Sequence, residues 1–175
     1  FGYEQIVFID LDTLVMSSIA LLFHPTRDFM AVQEYSFSRD KIHTSRFNSG
    51  VFVIGKDYLN ERVYQDLLEI IKPGFFLPDQ VCLNQYFCNR TTFLPKQYNV
   101  EKRMYTSKRY PIFRDKSRHK KIKILHFVAL KPWQEAHDNK QRFDRSKFKH
   151  LEQLWWKDMK RISIRKAKNA IKGLE

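Results

Sequence analysis

Two short apolar runs with no polar interruption, Ile6 to Ile9 and Val51 to Ile54, predict strands buried on both faces, as in a parallel sheet covered by helices. Ile122 to Phe127 predicts a third. Between them the period turns helical. Leu59, Val63, Leu67, Ile70 and Ile71 share a face behind a cap at Asp57, and Lys72-Pro73-Gly74 stops that helix. Pro78 suits the first turn of a second helix, which opens with Asp79 and Gln80 and carries Asn84 about one turn on. Near the end, Phe148, Leu151, Trp155, Met159 and Ile162 fall on one helical face. Lys149, Lys157, Lys160, Arg161, Arg165 and Lys166 lie mostly off it.

The connecting stretches are less regular. Ser17 and Ser18 cap a short helical segment, Ile19 to Phe23, closed by Pro25. Met30 to Val32 and Thr92 to Leu94 read as brief strands, the latter followed by Pro95 and the Tyr98-Asn99 pair. Residues 35–46 have no period and read as a polar loop, and Phe47-Asn48-Ser49-Gly50 reads as a turn. Residues 101–121 are basic and aperiodic and read as a mobile loop.

Composition adds a size and a sign. The chain has 175 residues, 43% hydrophobic and 15% aromatic, enough for one packed core and too apolar for disorder. No apolar run is long enough to span a bilayer and no signal peptide is recognisable. Cys82 and Cys88 lie six apart, on different faces of a helix, so reduced thiols and a cytosolic setting are expected. Phe1 is not an initiator and the first strand begins almost at once, so a piece of a longer protein is expected. The net charge of +13 is lopsided: 9 Lys/Arg against 11 Asp/Glu in residues 1–100, and 23 against 8 in residues 101–175. A basic half beside a near-neutral one implies an anionic partner.

The candidate chemistry sits where the first strand ends. Asp10 and Asp12 follow its last apolar residue, with a hydroxyl at Thr13, and ligands of open α/β sheets gather at the carboxyl ends of strands. Two adjacent carboxylates repel unless a cation or proton lies between them, and a hard divalent ion suits oxygen ligands. Alone, Asp-x-Asp is common turn chemistry, Asn48-Ser49-Gly50 a turn, Asp79-Gln80 a helix start, His126 a core histidine and Lys131 a solvated lysine.

In register, however, IVFIDLDTLV, FNSGVFVI, DQVCLNQYF and HFVALKPW resemble the central blocks of the family 8 glycosyltransferases, the group of glycogenin and bacterial lipopolysaccharide galactosyl- and glucosyltransferases. The resemblance runs from about Phe1 to Trp133. It implies an α/β fold of GT-A type: a Rossmann-like mixed sheet flanked by helices, here incomplete at the N-terminus, with basic amphipathic helices at the C-terminus. Residues 1–140 would be the C-terminal portion of that domain and residues 141–175 a basic helical tail. The implied activity is retaining transfer of a sugar from a UDP-sugar to a saccharide or lipid-linked acceptor, with Mn²⁺ (or Mg²⁺), in polysaccharide, lipopolysaccharide or capsule synthesis.

By the same resemblance, Asp10, Asp12 and His126 would hold the metal and Lys131 the donor pyrophosphate. Asn48, Ser49 and Asp79 would meet the donor sugar, with Gln80 beside the anomeric carbon and Asp79 and Gln80 as the catalytic pair. An amide is a poor nucleophile, so front-face attack through an oxocarbenium-like species is the expectation rather than a covalent intermediate. Two departures stand out. Ala129 occupies the place of a family glycine, which bears on how closely the backbone meets pyrophosphate, and the segment from His126 to Lys131 is one residue short. The family's opening strand–helix units, which hold the nucleoside, are absent, so this segment alone is expected to be inactive.

Residues 155–172 combine tryptophans with a lysine–arginine ladder. They read either as contact with an anionic membrane surface, centred on residues 160–172, hence a cytoplasmic enzyme peripheral on its inner face, or as a solvated amphipathic helix. For Phe148 to Met159 the favoured reading is packing of Phe148, Leu151, Trp155 and Met159 onto the domain. The rival readings are a non-catalytic relative and a basic nucleic-acid-binding module. The latter lacks any RNP motif, zinc spacing or helix-turn-helix pattern and leaves the ordered blocks unexplained.

Overall fold

A computed structural model describes residues 2–71, 78–111, 121–134 and 145–172. It divides into two compact units, Phe1–His126 and Phe127–Glu175.

The first unit is built on a four-stranded sheet in the order β1-β4-β3-β5, from Gln5–Ile9 (β1), Phe29–Ser36 (β3), Lys41–Gly55 (β4) and Thr91–Phe93 (β5). β4 pairs antiparallel with both β1 and β3, and β5 is parallel to β3. A three-stranded sheet, β2-β7-β6, comes from Thr13–Val15 (β2), Val100–Glu101 (β6) and Ile124–His126 (β7). The mixed sheet agrees with the expected architecture.

β4 is the central strand, and its burial from Phe47 to Val53 is continuous because both faces are covered. Val51 and Val53 join Leu22, Val32, Leu94, Tyr98 and Ile124 on one side. Phe47 and Phe52 join Phe29, Ala31, Val63 and Phe87 on the other, where helices α1 (Glu61–Ile70) and α2 (Asp79–Phe87) lie. Phe29 stacks on Phe87 at 3.8 Å between centroids. Each fully buried aromatic of this kind contributes about 1.5–3 kcal/mol.

Several local expectations are corrected. β1 is not buried on both faces: it lies at a sheet edge, antiparallel to its neighbour, and alternates, with Ile6 and Phe8 about 40% exposed. Residues 35–46 are not a loop but the arm of the β3–β4 hairpin, with the turn confined to residues 37–40. Phe47-Asn48-Ser49-Gly50 is not a turn but the buried middle of β4. The cap of α1 is Asn60, whose Oδ1 accepts the Val63 N–H at 3.1 Å. Asp57 instead pairs with Arg27 at 2.8 Å from a short 3-10 turn. The Lys72-Pro73-Gly74 stop lies outside the described residues.

Residues 101–107 are not a loop either. Glu101, Lys102, Met104, Tyr105 and Ser107 are buried through β6 and a 3-10 turn, Lys102–Thr106. Asp40, at the hairpin tip with φ 45°, holds this segment. Its carboxylate accepts from the Tyr35 and Ser107 hydroxyls and from the backbone N–H groups of Lys108 and Arg109. Those bonds, the Ser107 one first, depress its pKa. Residues 112–120 lie outside the described set. Cys82 is buried and Cys88 half-buried, and both are free thiols.

In the second unit, Phe148, which ends a 3-10 turn (Arg145–Phe148), and Leu151, in the first turn of α3 (Lys149–Lys172), are buried. Phe127 meets Trp155 edge-on at 5.4 Å, and Trp133 lies 5.1 Å from the same ring. Farther along, Trp156, Met159 and Ile162 are each more than 40% exposed, so the predicted apolar face is packed only at its N-terminal end. The side chains of Arg165 and Lys166 fall outside the described set. Among the described residues no helix is long and apolar enough to cross a membrane.

Candidate functional site

The site lies where the two sheets of the first unit meet. β1 ends as its ladder with β4 runs out: Ile9 is opposite Val51, and the Asp10 N–H donates to the Gly50 carbonyl at 2.8 Å. A tight turn follows. The Thr13 N–H and hydroxyl both return to the Asp10 carbonyl, at 3.2 and 2.7 Å, and the Leu11 N–H is held by Asp10 Oδ1 at 2.8 Å. The turn carries the chain into β2, where Thr13 stands opposite His126 of β7.

That register brings the acids and the imidazole together. His126 Nε2 lies 3.1 Å from Asp12 Oδ1 and 3.8 Å from Asp10 Oδ2. One ligand atom from each of the three residues falls within 4.8 Å of the others. Asp12 and His126 are buried, 3% and 4% exposed, whereas the Asp10 side chain is 46% exposed and keeps one side open. Two carboxylates and an imidazole offer the oxygen and nitrogen ligands that fit a divalent ion. Gly50 completes the pocket: a Cβ there would stand 2.1 Å from His126 Cε1. The ring occupies the space a side chain would have taken.

A line of carboxamides runs away from the imidazole. His126 Nδ1 meets Asn99 Oδ1 at 2.9 Å, and Asn99 Nδ2 donates to Asn48 Oδ1 at 2.8 Å. Asn48 Oδ1 also accepts the Gly50 N–H at 2.9 Å, while Asn48 Nδ2 donates to Gln80 Oε1 at 3.0 Å. The Ser49 N–H donates to the same Gln80 oxygen at 3.2 Å. Asn84 anchors α2 to β4 by exchanging bonds with both the N–H and the carbonyl of Phe47, at 2.9 and 2.8 Å, and by donating to the Gln80 carbonyl. Burial of so many amides is tolerable because each finds partners.

Of the residues singled out in the sequence, the structure brings together Asp10, Asp12 and His126, and links Asn48, Ser49 and Gln80 to them through Asn99. Asp79 is exposed in the first turn of α2, outside this network. Lys131 belongs to the second unit, where its N–H donates to Gln134 Oε1 at 2.8 Å in the Lys-Pro-Trp turn. Ala129 holds φ 63°, the left-handed conformation that favours glycine. Sequence reasoning noted Asn84 and Asn99 but gave neither a role. Their signal was an amide amid apolar strand and helix positions, which must be satisfied from outside its own element.

Comparison with known proteins agrees. The model of the glycosyl transferase family 8 matches residues 2–137. Human glycogenin-2 is 33% identical over 139 residues, 75% of this chain and 25% of that protein. Among solved structures, the glycosyltransferase GlyE of Streptococcus pneumoniae TIGR4 superposes with a TM-score of 0.62 at 22% identity, over 90% of this chain and 40% of that one. The galactosyltransferase LgtC, in complex with donor and acceptor sugar analogues, superposes with a TM-score of 0.54 at 18% identity, over 88% of this chain and 62% of that one. The fold is that of the GT-A glycosyltransferases. The chain spans only about a quarter of the length of glycogenin-2.

Proposed function

The chain belongs to glycosyl transferase family 8, and from that premise we propose that it transfers a sugar from a UDP-sugar to a saccharide or lipid-linked acceptor, with retention, in polysaccharide, lipopolysaccharide or capsule synthesis. The observation that carries this reading is the convergence of Asp10 and Asp12 with His126, from opposite ends of the first unit. These three would hold a divalent ion. Two oxygens and one nitrogen suit Mn²⁺ better than Mg²⁺, which keeps to oxygen. Bound there, it would supply positive charge to the oxygens of a leaving diphosphate.

The chain's own residues do the positioning. Lys131, from its place in the His126…Lys131-Pro132-Trp133 block, is assigned to the pyrophosphate. Ser49 and Asp79 are assigned to the donor sugar, together with the Asn48 Nδ2 hydrogen not given to Gln80. Both lone pairs of Gln80 Oε1 are engaged, by Asn48 Nδ2 and the Ser49 N–H. That oxygen is therefore unfit as a nucleophile, which supports acceptor attack from the face the leaving group departs. The Nε2 hydrogens of Gln80 have no protein partner among the described residues and can meet a substrate oxygen. The same reading places the enzyme in the cytoplasm against an anionic membrane, with α3 at the surface.

Alanine at Asp12 or His126 in the whole protein tests the metal role. Each should lower Mn²⁺-dependent turnover of a UDP-sugar by about 10²-fold or more, with Mn²⁺ binding followed separately by calorimetry. Undiminished turnover in both variants would refute the assignment.

A further inference from the structure

The line of carboxamides has a direction, and that direction selects a proton position on His126. We propose that Asn99 is a positioning residue that holds the imidazole as its Nδ1–H tautomer, so that Nε2 faces Asp10 and Asp12 with a bare lone pair. The metal-binding consequence rests on the function proposed above; the tautomer does not.

The argument starts from two backbone groups that can only donate. The Ser49 N–H points at the Gln80 side chain at 3.2 Å, so the atom it meets there is the oxygen, Oε1. The Gly50 N–H points at the Asn48 side chain at 2.9 Å, so the atom there is Oδ1. The opposite end of Asn48 is then Nδ2, and it faces Gln80 Oε1 at 3.0 Å as a donor should. Two independent backbone donors thus require the same orientation of Asn48.

Asn99 meets Asn48 Oδ1 at 2.8 Å and must present Nδ2 there, because two oxygens would face each other otherwise. Its Oδ1 is therefore turned to His126 Nδ1 at 2.9 Å, and an oxygen acceptor at that distance requires a hydrogen on Nδ1. In a neutral ring that leaves Nε2 unprotonated, 3.1 Å from Asp12 Oδ1 and 3.8 Å from Asp10 Oδ2. Left to themselves, two carboxylates favour the opposite tautomer, which would donate from Nε2. The carboxamide line opposes that choice and presents a ring ready to ligate. Metal-binding histidines commonly have the far nitrogen fixed in this manner, and loss of the partner costs about 10- to 100-fold in metal affinity.

The test has two arms. Long-range ¹H–¹⁵N spectra of the imidazole in metal-free wild-type protein, taken with the ring in its neutral form, should show His126 protonated on Nδ1 and bare on Nε2. The same spectra of Asn99→Leu should show this preference lost. A wild-type ring protonated on Nε2 throughout overturns the proposal without any variant having to fold. In the second arm, calorimetric titration with Mn²⁺ should show about 10- to 100-fold weaker binding by Asn99→Leu. Asn99→Asp, which keeps an acceptor oxygen for Nδ1 but no donor for Asn48, should bind close to wild type. Equal losses in the two variants, or none in either, overturn the positioning role. If wild-type protein binds no Mn²⁺ while the spectra show the Nδ1–H form, the metal reading fails and the tautomer assignment stands.

Discussion

Gly50 is where the site tolerates least change. A methyl there would lie 2.1 Å from His126 Cε1, 2.4 Å from its Nδ1 and 2.9 Å from Asn48 Oδ1. None of these atoms is free to retreat, since the ring is buried and the amide is tied to the Gly50 N–H. Gly50→Ala should cost about 1–3 kcal/mol of stability, as overpacking does, and weaken Mn²⁺ binding by about tenfold or more. Thermal melts and calorimetry would read the two effects; wild-type affinity in the variant would show that the imidazole is not held by this contact. The sequence around Gly50 misleads because small polar residues before a glycine are a local turn signal. The actual reason for the glycine is a ring contributed by β7, which no local window contains. Ala129 is the converse case. Its left-handed φ of 63° costs an alanine about 1–2 kcal/mol.

At the level of elements, burial pattern was informative wherever a strand or helix had neighbours on both sides. Val51 to Ile54 is continuous in sequence, and Val51 to Val53 are buried in fact with Ile54 half-buried, because β4 is central. Ile6 to Ile9 looks the same but forms an edge, since an apolar run does not say whether its outer face is covered. The hairpin arm at residues 35–46 escaped notice because its residues are mostly solvated and carry no alternation. Charge misled at Glu101: its carboxylate accepts the Tyr35 N–H at 3.2 Å and pairs with Arg103, which pays for its burial.

Lys96, in the 3-10 turn before β6, offers a measurable case of charge at a half-buried position. Desolvation pushes its ammonium from 10.5 down to about 8. Between those values the unfolded chain holds a proton that the folded chain has released, so this group makes stability rise with pH across that window. Below pH 8 both states are charged, and the burial penalty is fully present. Lys96→Met should therefore melt above wild type at neutral pH, with the gap narrowing as pH climbs from about 8 towards 10. Tyr35, raised to about 12 mainly by burial, acts in the opposite sense only above its ordinary 10. A gap constant with pH would show that Lys96 keeps its ordinary affinity for protons.

For the molecule as a whole, the excess of positive charge lies beyond residue 100. Within the second unit, α3 presents the half-exposed Trp156, Met159 and Ile162 alongside the exposed Lys157, Lys160 and Arg161. Such a surface should sediment with phosphatidylglycerol vesicles and not with neutral ones. At about 1 kcal/mol per basic side chain, glutamine at Lys157, Lys160 and Arg161 together should lower partitioning by about 10²-fold. Equal binding to neutral vesicles, or none by the wild type, would remove the membrane from the account.

The pairing of Thr13 with His126 also sets an order of assembly. During synthesis the aspartates emerge from the ribosome before the histidine, with five strands (β2 to β6) and two helices between them among the described residues. Closing so long a span costs little more than closing a shorter one, about 0.6 kcal/mol for each doubling, so timing rather than entropy governs the event. A nascent chain stalled before β7 holds a pair of repelling acids and nothing to reconcile them. An ion that binds the finished cradle alone, at a hundredfold excess over its dissociation constant, favours the completed chain by about 2.7 kcal/mol. The cation would thereby favour chains in which β7 has been made and has closed on β2.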